Sequence, residues 1–195
     1  MPANYFDDKG TEALKMLKEI FDEKTILRYL ELWDKKELEK GLKPVTDANK
    51  VFDFLKRRDV KTGILTNRFT RPGVINTFRA SGVDFSKLDF FVTHDPNPTT
   101  TLVEKIHHNH FLNRHPKPDA RAIAPALPIL KNLPEFPKSV YYIGDNLIDL
   151  EFARANGFGF VGVLSGVIKD KNEWRAAGSD IIIKDISEIP KFLQA

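Results

Sequence analysis

The chain has 195 residues, 42% hydrophobic and 29% charged, with 11 glycines and 12 prolines, which suits one domain or one core with a small appendage and excludes collagen-like, low-complexity and wholly disordered chains. Its 30 basic and 27 acidic residues leave a formal charge of +3 scattered along the chain, so nucleic acid is not implied and an anionic small substrate is compatible. With no cysteine, no apolar run of about 18 residues and no basic-then-apolar N-terminus, the sequence predicts a cytoplasmic protein with neither a disulfide framework nor a membrane span.

Residues 12–40 are helical in pattern. Ala13, Leu14, Leu17, Ile20 and Phe21 form one stripe and Ile26, Leu27, Leu30 and Trp33 another, predicting two amphipathic helices separated near Lys24 and Thr25. Lys35 to Lys40 reads as a solvated last turn, ended by Gly41 and Pro44. The chain then changes character, so the predicted organisation is an N-terminal helical segment over residues 1–41 and an α/β core over residues 42–195. In that core Thr46 caps a helix bearing Ala48, Val51, Phe52 and Leu55, which feeds the strand Gly63-Ile64-Leu65. Pro72 opens a helix with Val74, Ile75 and Phe78, and Phe90-Phe91-Val92 is the next strand. Pro118 and Asp119 open a helix through Ala122, Ile123, Ala126 and Leu130, which Pro125 and Pro128 must kink or break. Strands at residues 140–143, 158–164 and 181–183 alternate with helices at 148–155 and 186–193. Strands alternating with helices in this way predict a doubly wound parallel sheet, α/β in class.

In such sheets ligands sit beyond the carboxyl ends of the strands. Thr66 and Asn67 follow Ile64-Leu65, Lys117 lies in the proline-flanked stretch before the 118–130 helix, and Gly144-Asp145-Asn146-Leu147-Ile148-Asp149 follows Ile143. A hydroxyl, an ammonium and two carboxylates at neighbouring strand ends supply a hard oxygen cage for a cation and donors for phosphoryl oxygens. Taken singly, each of these is an ordinary feature: a turn, a helix start and a strand-ending dipeptide.

Together and in this order they resemble the haloacid dehalogenase superfamily of phosphohydrolases, over roughly residues 42–195. Ile64-Leu65-Thr66-Asn67 is similar to the second motif, and the resemblance implies that Thr66, with Asn67, binds the phosphoryl group. Lys117 in His115-Pro116-Lys117-Pro118-Asp119 resembles the third-motif lysine, which neutralises the phosphoryl group and the nucleophile. Tyr141 to Asp149 (YYIGDNLID) resembles the fourth motif, implying Asp145 as a direct magnesium ligand and Asp149 as its outer partner. Ala155-Asn156-Gly157 and Val161 to Gly166 continue the same segment.

The family's first motif is an apolar strand ending in Asp-x-Asp-Gly-Thr, and the nearest match here is Phe6-Asp7-Asp8-Lys9-Gly10-Thr11. By resemblance Asp7 is the nucleophile and a magnesium ligand, while Lys9 stands where the family has its proton-shuttling acid. Lysine does not take and return a proton as a carboxylate does unless burial lowers its pKa by several units. Met1 to Tyr5 is a poor strand, with Pro2 and Asn4 where aliphatic residues belong. Two origins stay open: a degenerate first motif, or an authentic one upstream with this chain beginning inside a helical cap.

All five histidines, His94, His107, His108, His110 and His115, fall between residues 94 and 115. The stretch reads as a polar surface insertion. The alternatives are a transition-metal site, with His108 and His110 on one strand face, or an overhang that helps to hold an anionic substrate. What the resemblance implies is a magnesium-dependent hydrolase of small phosphorylated metabolites, similar to phosphoglycolate phosphatase and acting through an aspartyl-phosphate. The rival expectations are a non-catalytic relative that binds phosphate, metal or a protein partner and, more remotely, a 2-haloacid dehalogenase.

Overall fold

The structure is a computed structural model that describes residues 19–40, 44–69, 72–95 and 107–193. Asp7, Lys9, the first predicted helix apart from its end, Gly41 and the 96–106 part of the histidine-rich stretch lie outside these residues. Helix α1 (Glu23–Lys40) follows a break at Phe21 and Asp22, just ahead of the predicted one. The Asp22 carboxylate sets its position by accepting the Thr25 N–H at 2.7 Å. Ile26 is buried, Leu30 and Trp33 are half-buried, and the helix packs on α3 (Pro72–Ala80).

Helix α2 (Ala48–Lys56) is capped by Asp47, whose side chain accepts the Lys50 N–H, rather than by the predicted Thr46. Strand β1 (Gly63–Phe69) runs four residues beyond the predicted Leu65, so Thr66 and Asn67 lie within its last half. Its register against β2 (Phe90–His94) shifts between Leu65 and Phe69, an irregularity of the kind that re-aims side chains near functional sites. Every residue of β2 is buried: Phe90 and Val92 join one core and Phe91 the other, as expected of a parallel strand covered on both faces.

Strand β3 (His110–Asn113) pairs parallel with β2, giving the order β1-β2-β3. Strands β4 (Tyr141–Gly144), β5 (Gly159–Val163) and β6 (Ile182–Ile183) form a second parallel set in that order. Among the described residues β1 ladders only with β2 and β4 only with β5. The two sets are joined on one face by a core in which Leu65 and Val92 meet Phe152 and Ala153. A hydrogen bond from the Tyr142 hydroxyl to the Leu65 carbonyl, 3.2 Å, also joins them. On the other face α2 places Val51, Phe54 and Leu55 against Val161, Val163 and Ile183. Parallel strands with helices on both faces make this a doubly wound α/β fold.

The helix opened by Asp119 is broken as the prolines require: a 3-10 helix (Ala120–Ala126) containing Pro125 gives way to the short α4 (Leu127–Leu130), with Pro128 in its first turn. Helix α5 (Leu147–Asn156) is capped by Asn146 and ends at Gly157, whose φ is 70°. Helix α6 (Lys171–Ala176) has no counterpart in the predicted elements; it seats the fully buried Trp174 on Phe160 at 5.3 Å. A 3-10 helix (Ile186–Glu188) and α7 (Ile189–Phe192) close the fold. No described helix is long and apolar enough to cross a membrane.

A Cβ at Gly157 would meet only Pro137 Cγ, at 3.4 Å, so Gly157→Ala should cost about 1 kcal/mol through its left-handed backbone alone. Denaturant midpoints of the two proteins measure it; an unchanged midpoint would refute this account of the helix end.

Candidate active site

Three elements bring the second-, third- and fourth-motif residues together: β1 carries Thr66 and Asn67, the loop after β3 carries Lys117, and the end of β4 with the first turn of α5 carries Asp145 and Asp149. Asn67 is the structural link between the first two. Its Oδ1 accepts the Lys117 N–H at 2.8 Å and its Nδ2 donates to the Lys117 carbonyl at 3.0 Å, so its side chain fixes the Lys117 backbone to β1. Its two bonds to the Lys117 backbone commit the Asn67 amide to holding the loop, a structural role beside the phosphoryl-binding one that the resemblance implies.

The Lys117 ammonium donates to Asp149 Oδ1 at 2.6 Å and to the Tyr142 hydroxyl at 2.9 Å. Lys117 and Asp149 expose only 12% and 7% of their side chains, so the ion pair is almost out of water. Burial alone would lower the lysine pKa, but coupling to Tyr142 and to the Asp149 carboxylate outweighs it and holds the pKa above the ordinary lysine value. Burial pushes the Tyr142 phenol up to about 12, against the opposing pull of Lys117. At neutral pH the site therefore holds a charged ammonium beside a neutral phenol.

Asp149 Oδ2 accepts the Asp145 N–H at 3.1 Å, so both carboxylate oxygens are engaged within the protein. This close approach is why residue 144 is glycine, since a Cβ there would collide with the Asp149 side chain. Asp145 Oδ2 accepts the Val167 N–H at 3.1 Å and the Asp145 carbonyl accepts the Ile168 N–H at 3.0 Å. Gly166 makes room in turn, because a Cβ there would collide with Asp145 Oδ2. Burial first, and the Asp149 charge second, raise the Asp145 pKa above the ordinary carboxylate value.

That donor chemistry suits a hard cation at Asp145: its Oδ1 accepts no side-chain or backbone hydrogen bond from another described residue, and a cation would relieve the cost of its buried charge. Asp149 stands behind it, orienting Asp145 through its backbone and pairing with Lys117. The described residues contain no group of three His, Cys, Asp or Glu that could hold a metal by themselves. The Thr66 hydroxyl oxygen accepts the Arg68 N–H at 3.2 Å, which leaves its proton for a ligand oxygen. Arg68 forks onto Glu37 of α1 through two bonds of 3.0 and 2.9 Å, tying the N-terminal helical segment to the strand that bears Thr66.

Three of the five histidines, His94, His107 and His110, are buried and depart from the predicted surface insertion, whereas His108 is exposed and His115 half-exposed. His94 ends β2 with its Nδ1 2.9 Å from the Asn113 carbonyl, and His110 begins β3 with its Nε2 2.8 Å from the Thr93 hydroxyl; both are buried. His107 is buried against exposed His108, their rings 3.9 Å apart. His108 lies in the turn before β3, so it does not share a strand face with His110. Desolvation lowers the pKa of His94 and of His107. In the sequence Tyr142 reads as one more apolar strand residue, although a hydroxyl in the middle of such a strand has to find a partner. The Arg68–Glu37 pair left no sequence signal at all.

A family model described as haloacid dehalogenase-like hydrolase matches residues 4–157. Among solved structures, the chain is similar to a Bacteroides fragilis protein designated a haloacid dehalogenase-like hydrolase, with a TM-score of 0.61, 22% identity, and coverage of 95% of this chain and 79% of that one. It is also similar to a Lactobacillus delbrueckii subsp. bulgaricus protein designated a phosphoglycolate phosphatase, with a TM-score of 0.50, 16% identity, and coverage of 77% of this chain and 54% of that one. At these identities the two likenesses speak for the fold. No curated protein sequence matches the chain. A family match over most of the chain, on a fold that brings Thr66, Lys117, Asp145 and Asp149 to neighbouring strand ends, shows that the chain belongs to the haloacid dehalogenase-like hydrolase family.

Proposed function

We propose that the protein is a magnesium-dependent hydrolase of small phosphate monoesters, acting on a phosphorylated metabolite in the cytoplasm. The observation that carries this reading is the almost buried Lys117 ammonium, fixed by Asn67 and Asp149 beside the strand of Thr66. A charge held out of water at such cost suits an anionic ligand, and the family supplies the phosphoryl chemistry.

In this scheme an Asp7 carboxylate oxygen attacks phosphorus as the ester oxygen departs, giving an aspartyl-phosphate. Water then attacks the same phosphorus, breaks its bond to Asp7 and releases inorganic phosphate. Thr66 donates a hydrogen bond to a phosphoryl oxygen, and Lys117 stabilises the negative charge gathered on the others. Asp145 and Asp7 would hold the magnesium, with Asp149 behind Asp145; when bound, the cation neutralises charge between the nucleophile and the phosphoryl oxygens.

Lys9 occupies the place of the proton shuttle, so esters whose leaving group departs unprotonated are favoured, para-nitrophenyl phosphate above alkyl phosphates. The experiment is magnesium-supported release of phosphate from para-nitrophenyl phosphate and a panel of alkyl phosphates. Turnover abolished by Asp7→Asn is the expected result; no turnover in clean protein would remove the reading. Lys9 also favours a second reading, a non-catalytic relative that still binds phosphate. Calorimetric binding of magnesium and phosphate without turnover would select it.

A further inference from the structure

Lys117 has three N–H donors, and Asp149 and Tyr142 take two of them. The Tyr142 hydroxyl has one proton. Because it accepts from the ammonium, which has nothing to accept with, its own proton is directed to the Leu65 carbonyl at 3.2 Å. Leu65 immediately precedes Thr66. The phenol thus forms a fixed chain from the backbone of β1 to the ammonium, and its ring is wedged edge-on against Phe152 at 4.9 Å. One oxygen atom thus links the strand of Thr66 to the lysine that pairs with the acid of α5.

We propose that Tyr142 is a positioning residue: through its hydroxyl it holds the Lys117 ammonium so that the third N–H is directed to the anion bound beside Thr66. The proposal rests on the phosphate-site reading above. Asp149 alone would leave the four-carbon stem of Lys117 free to swing about a single contact, whereas a second contact at 2.9 Å from a different element removes that freedom. Neither the second, third nor fourth motif calls for a hydroxyl at residue 142. The hydroxyl also carries a hydrogen bond from β4 to β1, two strands that do not ladder with each other among the described residues.

The test measures the affinity for inorganic phosphate by calorimetry, at fixed magnesium, in wild type, Tyr142→Phe, Lys117→Met and the double variant. Tyr142→Phe keeps the ring on Phe152 and removes only the oxygen. It should weaken phosphate binding about tenfold, the effect of one hydrogen bond to a charged group. In the Lys117→Met background the same change should do nothing further, because the group it positions is gone. The magnesium-induced rise in melting temperature, which passes through Asp145, should survive Tyr142→Phe and show that the variant is folded. Tyr142→Met, which fills the space flexibly without a hydroxyl, gives an independent reading should the phenylalanine variant not fold.

A phosphate affinity within twofold of wild type in the Tyr142 variants, or an equal loss with and without Lys117, overturns the proposal; a purely structural tyrosine would give one of these two results. If Lys117→Met itself leaves phosphate binding intact, the phosphate-site reading falls and this proposal falls with it. That outcome is distinct from a Tyr142 failure, in which Lys117→Met weakens binding and Tyr142→Phe does not.

Discussion

Asp149→Asn should destabilise the metal-free protein by about 3 to 5 kcal/mol, because it leaves an almost buried ammonium without its counter-charge. Lys117 Nζ lies 2.6 Å from Asp149 Oδ1 with both side chains nearly excluded from solvent, so water screens the pair little and cannot take the lost carboxylate's place. Asparagine retains an oxygen for either Lys117 or the Asp145 N–H, which places the expected loss toward the lower end. The pair also predicts a rescue. Lys117→Met in the Asp149→Asn background removes the unpaired charge, so the double variant should be more stable than Asp149→Asn alone, although it binds no phosphate. Urea unfolding of wild type, Asp149→Asn, Lys117→Met and the double variant decides the matter. A single variant within about 0.5 kcal/mol of wild type, the range of an ordinary surface change, would show that the pair does not hold these elements together.

Magnesium should stabilise the native protein by about 1 to 3 kcal/mol at saturating concentration, by mass action on a site that only the folded chain possesses. The reason lies in Asp145. Burial and the neighbouring Asp149 charge raise its pKa, so in the metal-free protein the native state binds its proton more tightly than the unfolded chain does. The native state therefore loses stability as pH rises from the ordinary carboxylate pKa through this raised one, and the loss persists at neutral pH. A cation on the free Oδ1 cancels it. Asp145→Asn should likewise remove this penalty from the metal-free protein while abolishing the response to magnesium, and Asp149→Asn should reduce that response. Melting temperatures with and without millimolar magnesium, taken at several pH values, measure all three effects. Wild type and both variants responding alike would show the fourth motif to be a structural remnant.

Much of the fold can be read along the chain because the information is local. A continuous apolar run such as Phe90-Phe91-Val92 announces a strand buried in a parallel sheet. Pro125 and Pro128 announce a broken helix through their missing N–H groups. The ordered set of Thr66, Lys117, Asp145 and Asp149 announces the family, since each residue closes or follows a recognisable element. The misses are equally physical. Strand β3 is not legible because only Phe111 and Leu112 are apolar in it, while His110 is buried with a partner from β2 and Asn113 is buried with its side chain bonded to the His115 backbone. Helix α6 escaped because it is six residues long with a single buried anchor, Trp174. Asp47 displaced Thr46 as a cap, a choice between adjacent competent residues that local propensity does not decide.

The sequence by itself therefore determined the fold class, the family and the strand ends at which chemistry gathers. Only the tertiary structure decided how those residues are joined. Asn67 is committed to the Lys117 backbone, Asp149 to both Lys117 and Asp145, Arg68 to Glu37, and Tyr142 to Lys117 and Leu65. Motifs lie along the chain and can be recognised from spacing, whereas these contacts bridge as many as 77 residues. A buried donor or acceptor takes whichever partner the packed chain brings within about 3 Å of it, and that proximity is a property of the folded molecule.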